Sequence, residues 1–429
     1  MTTREVALAA KKSSRVLAPL DEDRRNAALE AMAVAVESAT AQLLAANAED
    51  LVTAEAMSGE EKLSPATISR LKLTETKLRE MVEQIRSVKS LPDPLRRTLD
   101  AIEMDAGLEL EKVSVPLGVL AVIFEARPDA VTQIAALAVK SGNAVILKPG
   151  REVESTAFAL VELLREALEL QGLPENAMTM VLGRERIAEL LTMHDVVDMV
   201  IPRGGKSLVE YVQANTRIPV LGHAEGICHI YVDKNFDEEI ALRVIDDAKT
   251  DYPAACNAVE TVLVHREIAA EFLPKLAARL REKKIAMYGD EATRALVSVD
   301  AVSDWHTEYG ELALSIGVVN SLDAAIDHIH AHGSAHTESI LTEDAAAAER
   351  FLREVDAAGV FHNASTRFAD GFRYGFGAEV GISTSKFHAR GPVGLDGLTT
   401  YKYVLRGQGQ VAGDYRGTDA RAFTHKRVS

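Results

Sequence analysis

Two cysteines occur in 429 residues, and one of them stands where covalent chemistry is possible. Cys256 lies in "DYPAACNAVETVLVH", past Pro253, among Ala and Asn, just before a strand-like apolar run. Small neighbours let a carbonyl carbon approach the sulfur, and the loop amides could hold an oxyanion. The other cysteine, Cys228, sits inside "GICHIYV" and reads as a small buried hydrophobe. Two turns have the pattern of anion cradles. In "NAVILKPGRE" a strand ends at Lys148, and Pro149 and Gly150 precede a helix. Lys148 would face ribose hydroxyls or phosphate, with Arg151 one step further out; a solvated Lys-Pro-Gly turn is the plain alternative. "VIPRGGKSLVEY" repeats the arrangement, and Gly204 and Gly205 would leave room for a pyrophosphate at a helix N-terminus. "GQGQVAG" follows no strand and opens no helix, so it is not a dinucleotide fingerprint. The run "HIHAHGSAH" groups His328, His330, His332 and His336, but no carboxylate or cysteine completes a ligand set. No metal is expected.

These residues need a scaffold, and the apolar pattern supplies one. Up to about residue 91 the chain reads as helix, with Leu78, Met81, Val82, Ile85 and Val88 on one face, stopped by Pro92 and Pro94. Two short alternating runs around "DAG" suggest a hairpin. From residue 117, short apolar strands ("GVLAVIF", "NAVILK", "AMTMVL", "VVDMVIP", "IPVL") alternate with amphipathic helices. That alternation predicts a doubly wound α/β sheet with its ligand site at the carboxyl ends of the strands. A second α/β unit starts near Ile227 with "CHIYVD". Its first helix carries Ile240, Ala241, Val244, Ile245 and Ala248 on one face. Helices over "SLDAAIDHIHAHG" and "TEDAAAAERFLREVDAAG" follow, and after residue 366 helix signals fade. The net charge of −16 argues against nucleic acid and acidic membranes as partners. An anionic substrate must then be held by local cations. No apolar run approaches the roughly 18 residues of a membrane span, the first residues lack a signal-peptide core, and two cysteines suit a reducing cytoplasm.

The stretches "VSVPLGVLAVIFEARPDAV", "SGNAVILKPGRE", "VIPRGGKSLVEYV", "LGHAEGICHIYVD", "DYPAACNAVETVLVH", "HAHGSAHTESILTED" and "TSKFHARGPVGLDGLTTYKYVLRGQG" together resemble the γ-glutamyl phosphate reductase (glutamate-5-semialdehyde dehydrogenase) family, a branch of the aldehyde dehydrogenase superfamily. The resemblance runs from end to end. It implies an aldehyde-dehydrogenase-like fold of two doubly wound α/β domains plus a small β oligomerisation element. The NADP(H)-binding domain would span 1–97 and 117–226, the catalytic domain 227–395, and the oligomerisation hairpin and C-terminal strand 98–116 and 396–429. It further implies NADPH-dependent reduction of L-glutamyl 5-phosphate to L-glutamate 5-semialdehyde in proline biosynthesis, and a homo-oligomer. Glutamate kinase, which makes the unstable acyl phosphate, would be a plausible contact.

Residue by residue, the superfamily's nucleophile falls on Cys256 and its cofactor-contacting lysine on Lys148. Where many relatives carry a glutamate that bonds the adenosine 2′-hydroxyl, this chain has Arg151, which implies NADP(H) over NAD(H). Glu308 in "WHTEYGEL" matches the glutamate that bonds the nicotinamide ribose. Hydrolytic relatives keep a water-activating glutamate where this chain has Gly222, so a thioester here would be reduced rather than hydrolysed. The usual oxyanion asparagine aligns near Arg127, which could bind the leaving phosphate or pair with Glu125 or Asp129. Candidates for the substrate's α-amino and α-carboxylate groups are Asn363, Ser365, Thr366 and His336. Rival readings are an NAD(P)-dependent hydrolytic aldehyde dehydrogenase and a catalytically silent nucleotide-binding subunit.

Overall fold

A computed structural model describes residues 1–57 and 63–428, and the chain divides into two compact units. The first comprises Met1–Leu221, Phe376–Gly381 and Val393–Ser429; the second comprises Gly222–Gly375 and Ile382–Pro392. The division falls before Gly222 rather than after residue 226, so "GHAEG" folds with the cysteine loop. Among the described residues, no single helix is long and apolar enough to cross a membrane.

The first unit opens with helices α1 (Thr3–Leu17), α2 (Glu22–Ser38), α3 (Thr40–Ala56), α4 (Pro65–Leu71) and α5 (Glu75–Ser90). Side-chain caps start several of them. Thr2 and Glu5 form a capping box on α1, Asp21 accepts from the Arg24 amide, and Thr74 accepts from the Lys77 amide. The five apolar positions expected on one face of α5 are all buried. Strands β1 (Thr98–Asp105) and β2 (Leu108–Pro116) form the hairpin, turning through Gly107 at φ 70°. Then come β3 (Val119–Phe124), α6 (Asp129–Lys140), β4 (Ala144–Pro149), α7 (Glu154–Leu170), β5 (Met178–Met180), α8 (Glu185–Leu191), β6 (Met199–Arg203) and α9 (Lys206–Asn215). The sheet is parallel in the order β5-β4-β3-β6. Every residue of β3 and β4 is buried, as a sheet covered on both faces requires. The expected strand "IPVL" contributes only a bridge, Val220 to Val200.

The second unit carries β7 (Cys228–Val232), α10 (Glu238–Thr250), β8 (Val259–His265), α11 (Arg266–Glu282), β9 (Ala286–Gly289), α12 (Glu291–Leu296), β10 (Asp300–Ala301), β11 (Ala313–Val319), α13 (Leu322–His332), β12 (Thr337–Leu341), α14 (Ala345–Glu354) and β13 (Gly359–His362). Its seven strands are all parallel, in the order β10-β9-β11-β8-β7-β12-β13. On α10, Ala241, Ile245 and Ala248 are buried, whereas Ile240 is exposed because it occupies the first turn beside the capping Asp237. Ile382–Ser383 (β14) and Gly391–Pro392 (β15) make a small antiparallel pair. The C-terminal strands β16 (Thr399–Arg406) and β17 (Lys426–Arg427) return to the hairpin of the first unit, giving an antiparallel sheet β16-β2-β1-β17.

Two buried cations tie α2 to α5, to α6 and to the loop after α5. Arg25, fully buried on α2, donates to Asp93 at 2.7 Å and to the Lys140 carbonyl. Lys140, fully buried at the end of α6, donates to Glu22 at 2.8 Å, Asn26 at 2.9 Å and the Lys89 carbonyl at 3.0 Å. Arg25→Met keeps the volume but leaves Asp93 and a buried carbonyl without their donor. It is expected to destabilise the protein by about 2–3 kcal/mol, measured as a lowered urea midpoint with unchanged slope.

Candidate active site

The first unit's cavity, about 1180 Å³, opens at the carboxyl ends of β3, β4 and β6. Strand pairing sets its walls: Ile123 lies beside Lys148, and Phe124 beside both Pro149 and Arg203. Lys148 is 6% exposed and donates to the Pro149 carbonyl at 2.7 Å. Burial holds its ammonium below the usual lysine range, against the opposing pull of Glu154, Glu152 and Glu125. Arg151 lines the same cavity and is exposed. Arg127 lines it too, as do Arg70 and Arg184, which sequence reading did not single out. Glu152, also not foreseen, is the buried prop of the cradle. Its carboxylate accepts from the Ala126 amide at 2.6 Å, and burial raises its pKa. A Cβ on Gly150 would come within 2.1 Å of that carboxylate, so the turn needs glycine.

The Gly204–Gly205 turn starts α9 as expected, but an anion already sits on it. Glu125 accepts from the Gly205 amide at 3.1 Å, and a Cβ on Gly204 would meet the Glu125 carboxylate at 2.3 Å. A cofactor phosphate at this helix start must displace that side chain or bind beside it. With its cations, its glycine turns and its place at the strand ends, the cavity fits a dinucleotide.

The second unit holds the candidate nucleophile. Cys256 is half-buried in the loop between α10 and β8, and that loop is fastened on several sides. Asn257 donates to the Ala369 carbonyl at 2.9 Å and accepts from the buried Arg367. Arg367 and Arg373 both grip Asp251, at 3.0 and 2.8 Å. The Arg373 hydrogen bond, seconded by Arg367, holds the Asp251 carboxyl below the usual carboxylate range despite some desolvation. On the other side, the Cys228 thiol donates to the Cys256 carbonyl at 3.3 Å. Cys228 is fully buried, and desolvation pushes its pKa well up, so it stays a protonated donor. A Cβ on Gly226 would fall 2.0 Å from the Cys256 carbonyl oxygen. Among the described residues, the Cys256 and Asn257 amides donate to no carbonyl or side chain, which leaves them for an oxyanion.

Two histidines complete this site. One ring nitrogen of His223, one of His336 and the Cys256 sulfur all lie within 4.8 Å of one another, and among the described residues no carboxylate joins the group. His223 Nδ1 lies 2.8 Å from the Ile382 carbonyl, which fixes Nδ1 as the protonated nitrogen and Nε2 as the basic one. His336 is fully buried; its Nδ1 contacts Thr337 Oγ1 at 2.9 Å and its Nε2 has no hydrogen-bond partner. The two rings meet edge to face at 4.9 Å. His336 was expected near the substrate; His223, next to the position of the missing glutamate, was not among the expected site residues. The rest of the histidine run is elsewhere. His328 and His332 pack around Trp305, and burial with neighbouring imidazoles pushes His328 down to about 3.

The other candidates divide. Ser365 accepts from the Arg367 amide, and Thr366 is buried with an unpartnered hydroxyl in the same turn. Asn363, at φ 51°, has its amide taken up by the Thr342 backbone at 3.0 Å on both sides. Glu308 is exposed in the loop before β11, near enough to influence the buried Lys249–Glu260 pair.

The aldehyde dehydrogenase family matches residues 4–306. The γ-glutamyl phosphate reductase of Cyanothece sp. is 54% identical over 98% of this chain and 97% of its own. That of Natronomonas pharaonis is 50% identical over 99% and 98%. The crystal structure of γ-glutamyl phosphate reductase from Thermotoga maritima superimposes with a TM-score of 0.92 at 38% identity, covering 95% of this chain and 99% of that one. An acetylating aldehyde dehydrogenase from Geobacillus thermoglucosidasius shares the fold at 18% identity, with a TM-score of 0.66 over 95% of this chain and 97% of its own. This chain belongs to the γ-glutamyl phosphate reductases, within the aldehyde dehydrogenase family.

Proposed function

We propose that this protein reduces L-glutamyl 5-phosphate to L-glutamate 5-semialdehyde, with release of phosphate, through a thioester on Cys256. The observation that carries the mechanism is a loop-borne thiol with free neighbouring amides and two imidazoles beside it, and no carboxylate in the group. An ordinary thiol is mostly protonated at neutral pH, so a base within reach raises the supply of thiolate. His223 Nε2 takes the thiol proton. The thiolate attacks the γ-carbonyl, the Cys256 and Asn257 amides bind the oxyanion, and the carbon–oxygen bond to phosphate breaks. The departing phosphate takes its proton from solvent. A bound reduced nicotinamide dinucleotide supplies the hydride that converts the acyl group to the aldehyde level. When the carbon–sulfur bond then breaks, the returning thiolate recovers its proton from His223. Exposed Tyr401, Tyr403 and Leu405 on β16 support pairing with a second copy of the chain.

For the cofactor, Lys148 would hold the ribose or phosphate, and the guanidinium groups of Arg151, Arg70 and Arg184 favour a 2′-phosphate. Arg151→Ala is expected to raise the KM for NADPH about tenfold while changing that for NADH by less than about twofold, in steady-state assays of each. Equal loss for both cofactors would remove Arg151 from 2′-phosphate recognition.

Acyl transfer is tested without the cofactor. Wild-type enzyme mixed with freshly made glutamyl phosphate should release one phosphate per active site in a burst and gain the mass of a glutamyl group on Cys256. Cys256→Ala should show neither. His223→Asn should slow the burst by roughly 10²- to 10³-fold and slow iodoacetamide alkylation at neutral pH. A normal burst in Cys256→Ala would end the scheme; a normal burst in His223→Asn would end the role of that imidazole.

A further inference from the structure

Outside its part in acyl transfer, the sulfur site has the donor set of a metal-binding site, although sequence reading expects none. We propose that His223, Cys256 and His336 bind a borderline-soft divalent cation, Zn2+, and that binding blocks the enzyme reversibly. One thiolate and two imidazoles are the ligands zinc prefers, at about 2.3 Å for sulfur and about 2.0–2.1 Å for nitrogen. Tetrahedral coordination at those lengths needs donors about 3.5 Å apart. The three donors here lie within 4.8 Å of one another, so side-chain rotations of about an ångström bring them onto one ion.

Two further observations point to a ligand. His336 is fully buried, yet among the described residues its Nε2 has no hydrogen-bond partner, so a bound ligand would satisfy an otherwise orphaned polar atom. His223 already has its outer nitrogen held by the Ile382 carbonyl at 2.8 Å, the support that metal-bound histidines almost always have. His336 has a matching contact, Nδ1 to Thr337 Oγ1 at 2.9 Å. Cys256 and His223 are only half-buried, which leaves an entry path and a fourth position open to a solvent-derived ligand.

Binding balances simply. The cation takes the sulfur lone pair, the thiol proton goes to solvent, and a thiolate bound to metal is no longer free to attack a carbonyl. Affinity therefore falls as pH falls.

The test reads the metal itself, so it stands apart from the acyl-transfer scheme. Full-length protein, reduced and stripped with a chelator, is titrated with Co2+ and then Zn2+. One Co2+ per chain should bind with a sulfur-to-cobalt charge-transfer band, which Zn2+ bleaches and Cys256→Ser abolishes. Zn2+ should protect Cys256 from iodoacetamide, and chelator should restore alkylation. His223→Asn and His336→Asn should each weaken Zn2+ binding about tenfold or more, by analogy with the loss of a metal-site partner. If the buried His336 variant does not fold, His223→Asn carries the histidine arm. A band that persists in Cys256→Ser would assign the metal to Cys228. That result, absence of protection at saturating Zn2+, or unchanged affinity in His223→Asn would each overturn the proposal.

Discussion

The backbone at Cys256 is held where it is by exclusion as much as by bonding. Gly226 packs so closely on the Cys256 carbonyl that a single added carbon would overlap it. The same carbonyl receives the Cys228 thiol, and the next residue is clamped through Arg367 to Asp251. Loops usually carry the mobile part of a site. This one is fastened on several sides, as the proposed attack on a carbonyl would require, since such attack tolerates little error in distance or angle. Cys228 thereby acquires a use beyond filling volume: desolvation keeps its thiol protonated, and only a protonated sulfur can donate to that carbonyl.

Most of the scaffold was legible, for identifiable reasons. Strands buried on both faces are short, continuous apolar runs, and β3, β4, β7 and β8 fall on the stretches that read so. The positions of Lys148 at a strand end and of Cys256 in a loop were legible because strand-end turns and small-residue loops are local patterns. The stretch after His265 was harder. Helix α11 contains Pro274, which reads as a breaker, and β9 and β10 are too short to show a period. The place of His223 beside the thiol was not legible. What marks it is its contact with a residue far along the chain, through the Gly226–Cys256 approach, and no spacing rule encodes that. Glu125 and Glu152 were missed for a similar reason: each acts by accepting from the backbone amide of a distant turn.

Charge is distributed against the global balance. The chain carries −16, yet the cavity of the first unit gathers Arg70, Arg127, Lys148, Arg151 and Arg184. The carboxylates among them are not simply opposing charges. Glu152 is buried under the turn, and Glu125 covers the amide at the start of α9. An anion already resident at a helix start shows that the start attracts anions. A bound phosphate gains there only the difference between its own interaction and that of the carboxylate it replaces. Arginines at the rim add to that difference, since a divalent phosphate gains more from each guanidinium than a carboxylate does.

Two imidazoles beside a thioester raise an obvious difficulty, because a neutral imidazole could activate water and waste the acyl group. If His223 accepts the thiol proton at the first step, the acylated sulfur cannot take that proton back, and only solvent can remove it. An imidazolium cannot act as a base toward water. It does, however, favour the return of a thiolate, which is the bond cleavage that releases aldehyde. A carboxylate at Gly222 would lack this safeguard: it stays anionic throughout and is as able to draw a proton from water after acylation as before. Gly222 with His223 beside it is therefore the pair that the proposed scheme asks for: a position without a carboxylate base, next to an imidazole that can hold the thiol proton.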